Sequence, residues 1–243
     1  MNITMNPSGG LVQSAVNAPM TVDIPDSFLN EALQFREMMM MYTCAIREVK
    51  TKLEVLNDEL SVKNQRNPIE MIKSRVKKPM SILEKLQRRG FEVSLESMRE
   101  NLDDVAGIRI ICSFLDDIYE VAEMLVRQDD VKVIAVKDYI KNPKPNGYKS
   151  YHMVVTVPVY LTDGPVETKV EIQIRSVAMD FWASLEHKIA YKFEGNAPEN
   201  LLKELKACAD MVDMLDAKMF SLNEAITAFA KEQRQDELQG QTE

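Results

Sequence analysis

The sequence predicts a single domain of the α/β class, in which the strands of a sheet alternate with helices. Apolar, β-rich runs mark four strands, at Ile108–Phe114, Val131–Val136, Met153–Val159 and Val166–Arg175. Helical periodicity marks segments before, between and after these strands. A length of 243 residues with 45% apolar residues supports one sizeable core with helical additions rather than two full domains.

Two long helices are predicted at the ends of the domain, the first from Asp26 to about Leu60 and the second from about Pro198 to Lys231. The run Met38–Met41 makes the first helix apolar on more than one side. This pattern favours burial against the chain's own core and against a second subunit. Burial within a single chain is the alternative.

Composition and charge exclude several classes of protein. The net charge of −8 argues against a surface that coats nucleic acid, so an anion site has to be a local basic pocket. The sequence has no long apolar run, no signal-peptide pattern, and three cysteines too far apart for a disulfide framework or a CxxC metal site. We therefore expect a cytoplasmic protein without a membrane partner or an obligatory nucleic-acid partner. Its domain is expected to span residues 25–232, between a flexible segment at 1–24 and a polar tail at 233–243.

The segment Lys73–Arg89 concentrates positive charge, with seven basic residues and one acid, Glu84. Asn67 and Pro68 predict the start of a helix leading into this segment, because proline is favoured in the first turn of a helix. Apolar positions anchor one side, and the basic side chains can face a cleft and clamp a triphosphate. A solvated basic face is the alternative.

A loop at Asp138–His152 lies between two predicted strands and is rich in turn-forming, basic and aromatic residues. Its two prolines stiffen it, and the pair Asn146-Gly147 permits a turn with positive φ. Tyr148 is therefore presented from a rigid turn beside Lys144 and Lys149. A rigid aromatic ring flanked by cations suits a nucleotide, because the ring stacks on a base and ammonium groups bind phosphates. A solvated hairpin loop is the alternative.

Charged residues also stand at the predicted strands. Asp104 precedes the buried strand Ile108–Phe114, at a position suited to Mg²⁺, which prefers carboxylate oxygens; a cap or turn aspartate is the alternative. Arg109 interrupts that apolar strand, and a buried arginine needs an anionic partner. The strand Val166–Arg175 alternates, so that Glu171 lies on a polar face, and the simplest interpretation of this face is a sheet surface open to water.

The helix predicted at Val177–Phe193 places four apolar residues at core spacing: Trp182, Leu185, Ile189 and Phe193. The chain has two histidines, His152 and His187, and neither has a cysteine close by in sequence. This arrangement argues against a zinc site.

Four segments together resemble the synthetase motifs of the RelA/SpoT-type (p)ppGpp synthetases. They are SRVK at Ser74–Lys77, DDVAGIRI at Asp103–Ile110, PNGYKSYH at Pro145–His152 and VEIQIRSVAMDFWASLEHK at Val170–Lys188. The resemblance runs in order and with matching separations over about residues 67–192. A chain of this length resembles a small alarmone synthetase, and its motifs look more like the RelP branch than the RelQ branch. The upstream hydrolase domain of longer relatives is missing from the sequence, so no hydrolase activity is expected.

This resemblance implies a fold and a reaction. The fold is a nucleotidyltransferase-like mixed sheet of about five strands flanked by helices, with long N- and C-terminal helices, in a homotetramer. The reaction transfers the β,γ-pyrophosphate of ATP to the ribose 3′-hydroxyl of GTP or GDP and releases AMP.

The resemblance also implies roles for individual residues. Mg²⁺ would be held by Asp104 and Glu171, and Glu171 would accept the proton of the attacking hydroxyl. The residues implied to bind ATP are Arg75, Lys77, Ser81, Arg88 and Arg109.

On the acceptor side, Tyr148 would stack on the guanine. The residues implied to bind GTP or GDP besides Tyr148 are Lys144, Lys149, His152, Gln173 and Asp180. The first three would meet phosphates, Gln173 shares the strand face of Glu171, and Asp180 would contact the base or be structural. Arg175 shares the same face, and we expect only a supporting role for it.

Two other functions compete with this one. A catalytically silent module that binds guanine nucleotides or RNA would have no need of both Asp104 and Glu171, which this chain has. A different nucleotidyltransferase would use closely spaced carboxylates in a Gly-Ser context, which the sequence does not contain, and would release pyrophosphate rather than AMP.

Overall fold

The computed structural model describes residues 26–64, 67–192 and 198–240. The flexible segment predicted at residues 1–24 lies outside them. The described chain forms six helices and five strands in this order: α1 (Asp26–Asn64), β1 (Ile69–Val76), α2 (Pro79–Arg88), α3 (Leu95–Asn101), β2 (Ala106–Cys112), α4 (Leu115–Val126), β3 (Lys132–Asp138), β4 (Tyr151–Leu161), β5 (Gly164–Ser176), α5 (Val177–Lys192) and α6 (Glu199–Gly240).

The five strands form one mixed sheet in the order β1-β2-β5-β4-β3, which confirms the predicted class of fold. The pair β2 and β5 is parallel, and every other pair is antiparallel. Because β5 lies at the centre of the sheet, its side chains have neighbours on both sides. Residues from β2 and from the loop before β4 therefore converge on it.

The two faces of the sheet have opposite character. The predicted alternation of β5 is confirmed, since Val170, Ile172 and Ile174 are fully buried while Glu171 and Gln173 lie on the other face. Helices α1 and α4 cover the apolar face and share one hydrophobic core with it. None of the described helices covers the middle of the polar face in this way, and a cleft opens there.

The prediction that a helix begins at Pro68 is wrong, because Ile69–Val76 is an edge strand. This segment pairs with β2 in antiparallel register, from Ile69 opposite Cys112 to Val76 opposite Ala106. Pairing with β2 satisfies its backbone groups, so tertiary context overrides the helix signal of the proline. The helix begins later, with Pro79 in its first turn. The basic segment is therefore split between a strand and a helix.

The core positions predicted on α5 are only partly correct. Trp182 is buried at 6% exposure, whereas Leu185 and Ile189 are exposed at 42% and 37%. Phe193 lies outside the described residues. The helix is buried along Met179 and Ala183 instead, because it packs on α6 and the end of the sheet rather than across the sheet.

The C-terminal helix α6 extends to Gly240, beyond the predicted end at Lys231. Its predicted apolar seam exists, but in the single described chain much of it faces outward. The exposed members are Leu201, Leu215, Met219, Leu222, Ile226 and Phe229. Within the described ranges, no helix combines the length and hydropathy that a membrane crossing needs.

Candidate active site

Two rows of residues cross the polar face of the sheet. In the first row, neighbouring strands place Lys73 beside Arg109, Arg109 beside Gln173, and Gln173 beside His152. Residues that pair across strands point to the same face, so these four side chains line one surface. The sequence-predicted residues Arg109, Gln173 and His152 are thus brought together.

The second row contains Arg75, Gly107 and Glu171. Gly107 has no side chain, and among the described residues a Cβ built there would have only atoms of Arg75 within contact distance, at 3.8 Å. The glycine therefore forms the floor of a cavity of about 240 Å³ between Arg75 and Glu171, which Asp104 and Arg109 also line.

Asp104 lies at the entrance to β2 and is bound by two lysines. Its Oδ2 is 2.6 Å from the Nζ of Lys77 and 2.6 Å from the Nζ of Lys85. Burial alone would favour the neutral acid, but the hydrogen bonds and charges of the two ammonium groups outweigh it and lower the pKa of Asp104. Its Oδ1 is buried and has no hydrogen-bond partner among the described residues.

Glu171 lies at the boundary between two cavities. Its Oε2 accepts a hydrogen bond from Nε2 of Gln173 at 3.0 Å, and its Oε1 is 3.8 Å from Nδ1 of His152. A second cavity, of about 210 Å³, continues on the side of β3 and β4. Glu171 and Asp104 line both cavities. The two carboxylates predicted to act together therefore share one cleft.

These two carboxylates fit a magnesium ion that binds together with a phosphate substrate. Among the described residues, no group of three or more His, Cys, Asp or Glu side chains could hold a metal by itself. Mg²⁺ in phosphate-transfer sites is held by one or two carboxylates, with water and substrate oxygens completing its shell. The unpartnered Oδ1 of Asp104 is an atom suited to that purpose.

The loop before β4 is a tight turn, as predicted. Gly147 has φ of +89°, and its N–H donates to the carbonyl of Lys144 at 2.8 Å. At the start of the loop, Oδ1 of Asp138 accepts the backbone N–H groups of Ile140 and Lys141 at 2.9 and 3.0 Å. The loop is therefore held at its first residue and at its tip.

Tyr148 is held by its hydroxyl and by its ring. The guanidinium of Arg175 donates to the hydroxyl oxygen at 2.6 Å, and that oxygen is 2.8 Å from Nε2 of His152. The Tyr148 hydroxyl therefore links the guanidinium of Arg175 to the imidazole of His152. The ammonium of Lys144 lies 4.6 Å from the centroid of the Tyr148 ring.

His152 is neutral at physiological pH. Burial lowers its pKa most, and the positive charges of Arg175, Lys144, Lys137 and Arg109 lower it further, to about 3.

Asp180 is the anionic partner that the sequence predicts for Arg109. Its Oδ1 accepts from Arg109 at 3.2 Å and from Arg175 at 3.1 Å, and Lys73 lies 3.5 Å from its Oδ2. Arg175 and Asp180 are 4% and 7% exposed. The pair links the end of β5 to the first turn of α5, and through Arg175 it also reaches Tyr148.

Three predicted ligands lie apart from this cleft. Ser81 and Arg88 are on α2 and line neither cavity. Lys149 forms an ion pair with Asp213 of α6 and lines a separate small gap beside Trp182.

Sequence reasoning missed two residues that complete the site. Lys85 was one of several cations in the basic segment, and only the fold shows that it shares Asp104 with Lys77. Arg175 was expected to have a supporting role, but it anchors both Tyr148 and Asp180. The separation of Arg175 and Asp180 by five residues at a strand-to-helix junction was the available signal.

The family model for the region found in RelA/SpoT proteins matches residues 74–196. This chain belongs to the RelA/SpoT family. All of the polar residues in the two rows lie within that range except Lys73, which immediately precedes it.

Named relatives match this RelA/SpoT chain over most of their length. It is 44% identical to GTP pyrophosphokinase YwaC of Bacillus subtilis, over 79% of this chain and 91% of that protein. It is 38% identical to GTP pyrophosphokinase YjbM of the same organism, over 85% of this chain and 98% of that protein. The crystal structure of small alarmone synthetase 1 from Bacillus subtilis, bound to its product pppGpp, superposes with a TM-score of 0.74 at 37% identity and covers 80% of this chain and 98% of that one.

Proposed function

We propose that this chain is a GTP pyrophosphokinase, which transfers the β,γ-pyrophosphate of ATP to the ribose 3′-hydroxyl of GTP or GDP. The 3′-oxygen forms a bond to the β-phosphorus, the bond from that phosphorus to the oxygen of AMP breaks, and the hydroxyl proton goes to a base. The observation that carries the proposal is the pair of cavities that meet at Asp104 and Glu171. A transfer between two nucleotides needs a donor and an acceptor site with the reacting atoms at their boundary.

The cavity between β1, β2 and β5 suits the ATP donor. Lys73, Arg75 and Arg109 line it, and a cluster of cations without a surplus of acids is what a triphosphate requires. Phosphoryl-type transfer depends on positioning and on neutralising charge more than on covalent help from the protein. In this role the arginines would hold the phosphates in line with the acceptor.

Mg²⁺ belongs to the proposal as the cofactor. Asp104 and Glu171 would hold it, with the unpartnered Oδ1 of Asp104 as a first ligand. The ion would neutralise charge on the donor phosphates. Lys77 and Lys85, which share Oδ2 of Asp104, keep that carboxylate ionised and aimed at the cleft.

Glu171 is the proposed base. Gln173 holds Oε2, so Oε1 is the oxygen left to accept the proton of the 3′-hydroxyl. Nδ1 of His152 lies 3.8 Å from the same oxygen, on the side of the second cavity.

The acceptor guanosine fits the second cavity and the loop beside it. Lys137, Lys144 and His152 line this side. Tyr148, fixed by Arg175, would stack on the guanine, and Lys144 would meet phosphates. Of the two loop lysines predicted to bind phosphates, Lys144 lines this cavity, whereas Lys149 is paired with Asp213 of α6.

A product assay tests the reaction. Purified protein is incubated with Mg²⁺, γ-labelled ATP and GTP or GDP, and the nucleotides are separated. The proposal predicts label on a guanosine penta- or tetraphosphate together with an equal amount of AMP. Release of labelled pyrophosphate would indicate a nucleotidyltransferase, and guanine nucleotide binding without transfer would indicate a silent sensor.

The proposal also covers the oligomeric state of the protein, its cellular location and its branch within the family. The exposed apolar seam of α6 supports assembly with other copies, and a homotetramer is the state proposed. Light scattering after size exclusion measures it. A cytoplasmic location without an obligatory nucleic-acid partner and membership of the RelP-like branch are further parts of the proposal.

A further inference from the structure

We infer that helix α6 positions the acceptor loop, with Asp213 and Ala209 as positioning residues and with Lys149 acting as an anchor to α6 rather than as a phosphate ligand. This inference rests on the proposed function, because it assigns the elements that set the acceptor site of that reaction. It also replaces the role that sequence resemblance implied for Lys149.

The tip of the loop is in close contact with α6. Gly147 is buried, and a Cβ built on it would lie 2.5 Å from Cβ of Ala209 and 3.1 Å from Cδ of Lys206. The contact therefore requires a residue without a side chain on the loop and a small residue on the helix. Gly147 thus satisfies two demands at once, since its φ of +89° also excludes most other residues.

The residue after Tyr148 is tied to the same helix. The ammonium of Lys149 is bound to the carboxylate of Asp213, four residues after Ala209 and so on the same side of α6. The Lys149 side chain is 23% exposed and that of Asp213 is 48% exposed. Exposed ion pairs contribute little to stability, so the value of this pair lies in orientation.

Helix α6 is itself bonded to β5 and α5, the two elements that carry Arg175 and its partner Asp180. The indole N–H of Trp182 donates to the carbonyl of Leu205 at 3.1 Å, and the hydroxyl of Ser176 donates to Asp216. Trp182, Ala183 and Ala209 form a small buried cluster, against which Tyr148 packs. The same α5 carries Asp180, the partner of Arg175.

Tyr148 is therefore held both by Arg175 and by α6, and both of these contact α5. Arg175 holds its hydroxyl, while α6 holds the residues on either side of it in sequence. A shift of α6 would move the ring relative to Glu171 without touching the donor cavity. The expected signature is a change in KM for the acceptor with little change in KM for ATP.

A pair of matched helix variants tests the packing contact. Ala209→Leu adds a side chain where the loop tip lies, and Ala207→Leu makes the same change at an exposed position two residues away. Ala209→Leu is expected to raise KM for GTP and for GDP by about tenfold, with KM for ATP within about twofold of the wild type. Equal acceptor KM values for Ala209→Leu and Ala207→Leu would overturn the packing role.

A charge exchange tests the role of Lys149. Lys149→Asp and Asp213→Lys are each expected to raise acceptor KM by about fivefold, and the double variant to recover most of the loss. If Lys149 binds acceptor phosphates instead, Asp213→Lys alone does no harm and the exchange does not rescue Lys149→Asp. That pattern would overturn the inference.

Amide hydrogen exchange at residues 146–149 tests the positioning by α6 independently of the proposed function. Faster exchange is expected in Ala209→Leu and Asp213→Lys than in Ala207→Leu, whether or not the chain transfers pyrophosphate. A wild-type protein that makes no product would refute the proposed function, and unchanged exchange in the variants would refute the positioning by α6.

Discussion

The guanidinium of Arg175 donates a hydrogen bond of 2.6 Å to the hydroxyl of Tyr148. A buried residue of the central strand therefore holds the ring beside His152 and Lys144, which line the second cavity. The same guanidinium is bound to Asp180 of α5 at 3.1 Å. The position of Tyr148 therefore depends on the junction between β5 and α5 as well as on its own loop.

Arg175→Met is expected to weaken both stability and acceptor binding. Removing the buried guanidinium leaves Asp180 with fewer partners, at a cost of about 3 kcal/mol in the free energy of unfolding. Urea denaturation measures this loss, and Arg127→Met, at an exposed side chain, is the control. A variant that unfolds at the wild-type urea concentration would contradict the account of this network.

Asp104→Asn is expected to raise the Mg²⁺ concentration needed for half-maximal activity and to lower kcat by about a hundredfold or more. The amide removes the charge that Lys77 and Lys85 now neutralise, as well as the ligand oxygen. Asp130→Asn is the matched control, because Asp130 also pairs with a lysine, Lys52 at 2.7 Å, and lines neither cavity. A titration with Mg²⁺ that gives the same midpoint for both variants would argue against a metal on Asp104.

Substitutions of Tyr148 separate the contribution of its ring from that of its hydroxyl. Tyr148→Ala removes the stacking surface and is expected to raise acceptor KM by about tenfold to a hundredfold. Tyr148→Phe retains the ring, and its smaller increase reports the bonds to Arg175 and His152. Steady-state kinetics with each nucleotide varied in turn measure both effects. An equal rise in KM for ATP would rule out the stacking role.

The protein is expected to become less stable as the pH is lowered, because of His152. Its pKa is about 3 in the folded protein and near 6.5 in the unfolded chain, so the unfolded state binds the extra proton between these values. The contribution is complete above pH 6.5 and is lost progressively as the pH falls toward 3. Between pH 6.5 and pH 5 it amounts to about 2 kcal/mol.

The difference between the wild type and His152→Gln isolates this effect from other titrating groups. Urea denaturation at the two pH values should show a smaller loss of stability in the variant. His187→Gln, at an exposed position, should behave as the wild type does. A loss in His152→Gln as large as that in the wild type would show that the imidazole is not buried in its neutral form.

Local patterns predicted the middle of the fold well. The alternation in β5 and the near-continuous apolar run of β2 identify strands whose inner faces are fully buried. The turn at Asn146-Gly147 could also be predicted from the sequence, because its backbone conformation follows from the two residue types. In each case the signal lies within a few neighbouring residues.

The failures occurred where distant parts of the chain decide the outcome. Ile69–Val76 is a strand because β2 is available to pair with it. The proline before it indicated a helix start, since local sequence does not show this pairing. The exposed residues on α5 and α6 follow the spacing of a core helix, but the single described chain does not cover them. The roles of Arg175 and Lys149 depend on α5 and α6, whose contacts no local pattern encodes.

The most direct measurement of the central claim is the turnover of Glu171→Gln beside wild type and Glu167→Gln. Glu167 is on the same strand and is paired with Lys132, away from both cavities, so its variant is the control. The account predicts that Glu171→Gln loses pyrophosphate transfer by about a thousandfold while ATP still binds, and that Glu167→Gln keeps wild-type turnover. Transfer by Glu171→Gln at the rate of Glu167→Gln would contradict the assignment of the base and with it the proposed arrangement of donor and acceptor.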